Sequence, residues 1–182
     1  GLGLQTMPDA AEAALDTRQD LPVSDALSIL KNAPNTFKGR KLGILVSDGF
    51  DAETFNLLIQ SLKEEGASHD VIAAHVGGAK NSKGEIVEAD QVINGGPSVL
   101  YDAIVLLTTN EGAKKLAEIP EAKDFVSDAY AHMKYIGFSD KAAPLIEATG
   151  LNGHLDDGWL DLNKISASEF VSKIRNLRYW SR

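Results

Sequence analysis

Two acidic loops and four histidines are the groups in this sequence best suited to phosphate or metal chemistry. The first loop, residues 47–51, reads Ser-Asp-Gly-Phe-Asp and follows a short apolar run. A phosphate site needs backbone N–H groups in a loop free of negative charge, and here Asp48 and Asp51 stand where the phosphate would bind. The sequence also lacks the GxGxxG and GxxxxGK(S/T) motifs. We therefore expect no nucleotide site.

The metal-binding potential of the chain is weak. Its four histidines are His69, His75, His132 and His154. The first two are predicted on one strand, about 20 Å apart, which is too far to share an ion. The other two have no acid or histidine at ligand spacing. Asp156, Asp157 and Asp161 offer oxygen ligands for calcium, but a solvated acidic loop is the simpler interpretation, and we expect no metal site.

The acidic loop at residues 47–51 joins a predicted strand to a predicted helix. Residues 42–46 are a continuous apolar run of strand length, and from residue 52 the apolar residues recur at helical spacing. Asp51 is a candidate N-cap for this helix. A wholly apolar strand that leads into an amphipathic helix is typical of a parallel sheet buried on both faces. Functional groups in such sheets gather at the carboxyl ends of the strands.

The remaining elements continue this alternation. Further strands are predicted at residues 68–76, 103–107 and 135–138. Helices are predicted at residues 110–116, 121–133, 140–149 and 166–177. The turn-rich residues 79–100 are interpreted as an excursion off the sheet, and residues 152–161 as a loop. This order predicts an α/β fold with a mostly parallel sheet between two helical layers.

Composition narrows the function classes. The chain has 182 residues, a net charge of −8 and no cysteine. The negative charge argues against sequence-independent binding to nucleic acid. No apolar run reaches the roughly 20 residues needed to cross a bilayer, so a soluble protein without membrane contact is expected. Residues 1–5 do not resemble a signal peptide, and the sequence does not predict a compartment.

Residues 1–38 differ from the rest of the chain. They contain three of its six prolines and two short helical patterns, at residues 9–15 and 24–31, with Asp9 and Ser24 as candidate caps. Neither pattern buries enough apolar surface to be stable alone. We interpret residues 1–38 as a linker or arm that follows another domain, and residues 39–182 as the folded domain.

Three motifs resemble the class I glutamine amidotransferase-like superfamily, and in particular its PfpI-type branch. They are DGFDAET (48–54), YDAIVLLTTNEGAKKL (101–116) and KYIGFSDKAAPLIEATGL (134–151). The resemblance implies a flavodoxin-like three-layer sandwich. It places Ser139 at the elbow that carries a reactive cysteine in that branch, and Glu53 at the glutamate that reaches it.

The chain departs from the PfpI-type pattern at several of these positions. Thr108-Thr109 replaces a diglycine, and Asp140 replaces the histidine that often follows the elbow. A serine needs a hydrogen-bonded base to act as a nucleophile, and His154 is the remaining weak candidate. We expect a strained elbow at Ser139, and like-charge repulsion that raises the pKa of one carboxyl in the acidic cluster around it. An elbow without catalytic function is the favoured interpretation, with no catalytic or cofactor-binding residue.

A wider resemblance covers nearly the whole chain. The segments RQDLPVSDALSIL (18–30), FKGRKLGILVSDGFD (37–51) and RNLRYWSR (175–182) resemble the C-terminal domain of large-subunit haem catalases. In such catalases the haem belongs to the preceding catalase body, so the resemblance implies no cofactor in this domain. The resemblance implies an accessory function, which is to stabilise the peroxide-degrading parent chain. It also implies a chaperone-like (holdase) protection of unfolded clients, and the catalase body or a second copy as partners. The alternative is a PfpI-type hydrolase or glyoxalase-like enzyme that uses Ser139.

A holdase needs exposed apolar side chains that bind its clients. The aromatic residues Phe50, Phe55, Tyr179 and Trp180 are the candidates in this sequence.

Overall fold

A computed structural model describes residue 6, residues 9–12 and residues 14–182. The chain divides into two compact units, residues 1–33 and residues 34–182. Residues 1–5, 7, 8 and 13, which include the N-terminal residues considered for a signal peptide, lie outside the described part.

The first unit has little regular structure in its described residues. It contains a 3₁₀ turn at Asp25–Leu27 and one short helix, α1 (Ile29–Asn32), and neither contains a buried residue. Residues 9–12 and 14–15 form no helix, so the helix predicted there is wrong. The cap is also different from the predicted one. Ser28 accepts the Lys31 N–H, whereas the Ser24 side chain makes no capping hydrogen bond.

The second unit is built on a parallel sheet. Its strands, as far as the structure describes the chain, are β1 (Lys41–Val46), β2 (Ser68–Ala73), β3 (Ala79–Lys80), β4 (Ile86–Val87), β5 (Gln91–Val92), β6 (Ala103–Leu107), β7 (Ile136–Phe138) and β8 (Trp159–Asp161). Six of them form one parallel sheet in the order β5-β2-β1-β6-β7-β8. β3 and β4 form a separate antiparallel pair.

Five helices cover the two faces of this sheet. They are α2 (Ala52–Glu65), α3 (Asn110–Ala117), α4 (Pro120–Ala131), α5 (Ala143–Ala148) and α6 (Ala167–Ile174). Successive residues of β1 point to opposite faces, so Ile44 packs with α2 and α6, and Leu45 packs with α3, α4 and α5. The predicted α/β three-layer sandwich is therefore confirmed.

Two predictions about loops are wrong. Residues 152–161 contain β8, which pairs with β7 and closes one edge of the sheet. Gln91–Val92 also joins the sheet, as the strand beside β2, so residues 79–100 are not wholly off it. Both strands have only two or three residues, and such short segments carry almost no periodic signal.

A buried lysine connects two segments at the amino end of the sheet. Lys134 is 3% exposed, and its Nζ donates to the carbonyl oxygens of Ser98 (2.6 Å) and Tyr101 (2.7 Å). Burial, and secondarily the positive charge of Arg178, lowers the pKa of Lys134 to about 8; Asp102 and Asp128 oppose this shift.

Lys134 is expected to make the stability of the domain rise at alkaline pH. Between pH 8 and its ordinary pKa of 10.5 the folded state binds fewer protons at this group than the unfolded chain, so the free energy of unfolding increases with pH in that window. Below pH 8 Lys134 is protonated in both the folded and the unfolded state, so it adds no pH dependence to the free energy of unfolding. Urea unfolding from pH 7 to 10 measures the effect, and Lys134→Met should remove it. The exposed Lys63 provides a matched control, Lys63→Met; an equal loss of slope in both variants would contradict the assignment.

Candidate functional site

The loops after β1 and β6 are joined by hydrogen bonds where the strand order reverses. Ser47 Oγ accepts the Thr109 N–H at 3.0 Å, and Thr109 Oγ1 donates to the Asp48 carbonyl at 3.1 Å. Thr109 also caps α3 by accepting the Gly112 N–H. A Cβ on Gly112 would clash with the Ser47 side chain, so glycine is required at this position.

The first acidic loop forms the start of α2, as predicted. Asp51 Oδ1 accepts the Thr54 N–H at 2.7 Å, which confirms it as the N-cap. This hydrogen bond is the main reason that the pKa of Asp51 is lowered, and the positive charges of Lys141 and Lys83 act in the same direction. For Asp51 the shift is therefore opposite to the one expected from repulsion within the acidic cluster.

Ser139 follows β7 and begins the 3₁₀ turn Asp140–Ala142. It is 8% exposed, and its backbone angles are φ −92° and ψ 156°. These angles are ordinary extended backbone, so the strained elbow expected here is wrong. The chain turns after Ser139 through the 3₁₀ residues, and the serine itself needs no unusual conformation. Within the described residues, the Ser139 Oγ has no hydrogen-bond partner.

A cavity of about 260 Å³ lies at the carboxyl ends of β6 and β7. We call it the hydroxyl cavity. Its polar lining comprises Asp51, Thr54, Thr108, Ser139, Asp140 and Lys141, together with Asn163. Asn163 Oδ1 accepts the Asp140 N–H at 3.0 Å and so fixes the turn after Ser139. The cavity brings the acidic loop, the Thr108 position and the Ser139 position together.

Two of the residues considered with Ser139 do not line this cavity. Glu53 lies in the first turn of α2 and is exposed, and Asp51 and Thr54 take the places beside the cavity. His154 follows the 3₁₀ turn Leu151–Gly153 and is exposed. Sequence reasoning missed Lys141 and Asn163. Asn163 follows β8, a segment that the sequence predicts as a loop, so no sequence signal places its side chain at the sheet edge.

At Thr108-Thr109, which replaces the diglycine of the PfpI-type branch, hydrogen bonding within the protein occupies a backbone N–H that an oxyanion would need. The Thr109 N–H donates to Ser47 Oγ and is not free to bind an oxyanion. Thr108 is 2% exposed, and its Oγ1, like the Ser139 Oγ, lacks a hydrogen-bond partner among the described residues.

Carboxylates of the second acidic loop, residues 152–161, form ion pairs with basic side chains. Asp156 accepts two hydrogen bonds from Arg182, at 2.8 and 3.0 Å, and Asp161 pairs with Lys164 at 3.0 Å. β2 ends at Ala73, so His75 lies beyond the strand predicted to carry it. In the part of the chain that the structure describes, no three His, Cys, Asp or Glu side chains are grouped to hold a metal ion.

Another cavity, of about 280 Å³, lies beside the ends of β1 and β2. Its lining is mixed. Val46, Ala73 and Leu116 contribute apolar surface, while His75 and Lys115 contribute polar groups.

Two of the four candidate client-binding aromatics are buried, and a third, Tyr179, is partly buried. Phe50 is fully buried and Phe55 is 8% exposed, and their rings pack edge to face in the core. Trp180 is 51% exposed. None of the helices in the described residues is long and apolar enough to cross a membrane.

Residues 38–182 match the family model described as the C-terminal domain found in long catalases. Catalase C of Rhizobium meliloti is 48% identical over 182 residues, which are 100% of this chain and 26% of the relative. Catalase HPII of Mycobacterium avium is 28% identical over 193 residues, covering 97% of this chain and 27% of the relative. The chain thus spans about a quarter of the length of these relatives.

Solved structures with a similar fold come from DJ-1-like proteins. Oxidised DJ-1 of Toxoplasma gondii superimposes with a TM-score of 0.56 at 20% identity, covering 64% of each chain. A mutant of a DJ-1 superfamily protein from Salmonella typhimurium gives a TM-score of 0.55 at 24% identity, covering 62% of each chain. At this level of identity the likeness supports the flavodoxin-like fold and carries no functional argument.

Proposed function

Because the chain belongs to the family of C-terminal domains found in long catalases, we propose that it is a non-catalytic accessory domain of a longer, peroxide-degrading haem catalase, which it stabilises. The observation that carries this proposal is the state of the Ser139 hydroxyl. It is buried and has no hydrogen-bond partner among the described residues, and a serine without a hydrogen-bonded base is a poor nucleophile at neutral pH.

The surroundings of Ser139 support the same interpretation. Its 260 Å³ cavity contains two carboxylate side chains, Asp51 and Asp140, which oppose the negative charge of an acyl-transfer transition state. The Thr109 N–H is already bonded to Ser47, so it cannot stabilise that charge. The PfpI-type hydrolase or glyoxalase alternative has no comparable observation in its favour.

Haem does not fit either of the two cavities at the strand ends. The two cavities at the strand ends, of about 260 and 280 Å³, lie below the roughly 300–1,000 Å³ typical of sites for drug-sized ligands, and haem is at least as large. The proposal therefore leaves haem with the catalase body of the parent chain, as the resemblance implies.

Activity-based labelling tests the non-catalytic assignment. A fluorophosphonate probe should not label wild-type protein at Ser139, because the hydroxyl has no base to activate it. Intact-mass spectrometry of probe-treated wild type and Ser139→Ala measures the result, with an active serine hydrolase as positive control. Stoichiometric labelling of wild type that disappears in the alanine variant, together with a hydrolytic turnover, would replace the accessory role by the enzyme.

A holdase function is a second candidate, and exposed apolar side chains favour it. Within residues 34–182 the large apolar side chains with the highest exposure include Leu57, Val76, Ile86, Val99 and Trp180, each at least 50% exposed. Such groups are available to bind unfolded chains.

The holdase candidate predicts that the chain suppresses the aggregation of a heated client protein. Ser139→Ala should suppress it equally, because the Ser139 side chain is buried and does not reach a client. Light scattering of the heated client, with and without each protein, measures its aggregation and tests both predictions. No suppression by wild type, at a molar excess over the client, would exclude the holdase function while leaving the stabilising role untouched.

A further inference from the structure

Two segments expose large apolar side chains at the amino end of the sheet, where the strands begin. Val99 and Leu100 belong to the 3₁₀ turn Ser98–Leu100, which lies just before β6, and they are 66% and 52% exposed. Trp180 lies in the C-terminal segment and is 51% exposed. We call these three side chains the amino-end surface. A single exposed apolar residue needs no explanation, but a rigidly presented group of them is typical of a surface that binds another protein.

The turn that carries Val99 and Leu100 is held from inside the domain. The buried Lys134 Nζ donates to the carbonyl oxygens of Ser98 and Tyr101, the residues on either side of the pair. Burying an ammonium group costs free energy, and here the two hydrogen bonds fix the backbone of an exposed turn. The two apolar side chains are therefore presented on a backbone that is already ordered.

The segment that carries Trp180 is attached to the same lysine. The Lys134 carbonyl accepts a 3.0 Å hydrogen bond from Arg182, and the Lys134 backbone forms an antiparallel bridge with Arg178. These contacts lie on both sides of Trp180 along the chain. Ordering a mobile loop lowers the affinity of an interface, and both segments avoid this cost because they are fixed beforehand.

The chain enters the domain at the same end of the sheet. At the start of β1 the Lys41 N–H donates to Asp102 Oδ2 at 3.1 Å, and Arg40 pairs with Asp102 Oδ1 at 3.5 Å. Asp102 lies two residues after Leu100. The polypeptide that precedes β1 is therefore attached beside the amino-end surface.

The family of the chain identifies the occupant of this surface. The matched domain is C-terminal in long catalases, and this chain covers 26% of Catalase C of Rhizobium meliloti, so a catalase body precedes the domain in such proteins. A tether raises the effective concentration of the attached partner, which favours contact near the point of attachment. We propose that the amino-end surface docks on the catalase body of the parent chain. This inference rests on the proposed accessory function and names the contact through which the domain stabilises its parent.

Thermal inactivation of the full-length parent chain tests the docking. Val99→Ser combined with Leu100→Ser, and Trp180→Ser alone, should each shorten the half-life of peroxide degradation at elevated temperature about three- to tenfold. Because these side chains are at least half exposed, the domain itself should keep its stability, and urea unfolding of the 182-residue variants checks this. Val76→Ser is the matched control. Val76 is 79% exposed but follows β2 at the opposite end of the sheet, so the half-life should not change.

Hydrogen exchange measures the contact directly. Backbone amides of residues 98–101 and 178–181 should exchange more slowly in the full-length parent chain than in the 182-residue chain, because docking restricts their opening. Residues 75–78 should exchange equally in both.

A truncated parent chain that lacks residues 34–182 separates the two proposals. If truncation shortens the half-life and the amino-end variants do not, the docking surface is wrong and the stabilising function stands. If truncation has no effect, the stabilising function fails, and equal exchange of residues 98–101 and 178–181 in both proteins then overturns the docking as well. Two results with the 182-residue chain would assign the surface to another occupant and overturn the proposal. One is a dimer that Trp180→Ser dissociates, and the other is a loss of client protection in Trp180→Ser without any change in the full-length half-life.

Discussion

Alanine in place of Gly43 is expected to lower the free energy of unfolding by about 1–3 kcal/mol, and valine by more. Gly43 lies in the middle of β1, between Asp70 on β2 and Ile104 on β6. A Cβ at this position would lie 2.5 Å from Cδ2 of Tyr101. The ring cannot move easily, because it is 2% exposed, packs against Phe125 and donates its hydroxyl to Asp70.

Urea unfolding of Gly43→Ala and Gly153→Ala measures this effect against a matched control. A Cβ on Gly153 meets no atom within 4 Å, and its backbone does not require glycine, so the second variant should be close to wild type. Replacing Tyr101 by leucine removes the ring that causes the clash, and in that background Gly43→Ala should cost less. A coupling energy of about 0.5–3 kcal/mol is expected for two residues in contact. Equal costs for Gly43→Ala and Gly153→Ala would show that the ring can yield.

The sequence predicted the parts of the fold that have a strong local signal. β1 and β6 are continuous apolar runs, and α2 has both helical periodicity and an N-cap, so each element could be identified without tertiary information. β5 and β8 could not. They have two and three residues, and they are strands because β2 and β7 pair with them. Their own residues show no period that distinguishes them from a loop.

The candidate site was predictable in its position and not in its geometry. Parallel strands end at the same edge, so residues after β6 and β7 had to meet there, and Thr108 and Ser139 do. The backbone angles of Ser139 and the missing hydrogen bonds of both hydroxyls depend on how the loops pack. The exposed position of Glu53 has a similar cause, because the first turn of α2 directs Asp51 and Thr54 to the cavity instead.

The packing of residues 175–182 rests on an arginine that no sequence pattern singled out. The Arg182 side chain is 6% exposed, and its guanidinium donates four hydrogen bonds. It donates to both carboxylate oxygens of Asp156, to the carbonyl of Tyr130 and to the carbonyl of Lys134. Its Cζ also lies 4.4 Å from the centre of the Tyr130 ring, within the range of a cation–π interaction.

Replacing Arg182 by alanine is expected to destabilise the domain by several kcal/mol. Breaking a buried ion pair by removing one partner costs about 3–5 kcal/mol, and the lower part of that range applies because the Asp156 side chain is 25% exposed. Lysine at position 182 should recover only part of the loss, since it cannot reproduce the bidentate geometry. Chemical unfolding measures both variants. Arg40→Ala is the control, because Arg40 makes a longer pair of 3.5 Å with Asp102 and is more exposed.

The loss of stability at acidic pH is an independent test of the contact between Arg182 and Asp156. Hydrogen bonds from Arg182 are the main reason that the pKa of Asp156 is lowered. A depressed carboxyl pKa adds stability that is fully present above the unfolded value of 3.8 and is lost as the pH falls through the folded pKa. Wild type should therefore lose stability through this group on acidification, and Arg182→Ala should lose less over the same pH range. If wild type and Arg182→Ala lose the same amount of stability on acidification, Arg182 does not stabilise this part of the fold through Asp156. The same conclusion follows if Arg182→Ala lowers the free energy of unfolding no more than Arg40→Ala does.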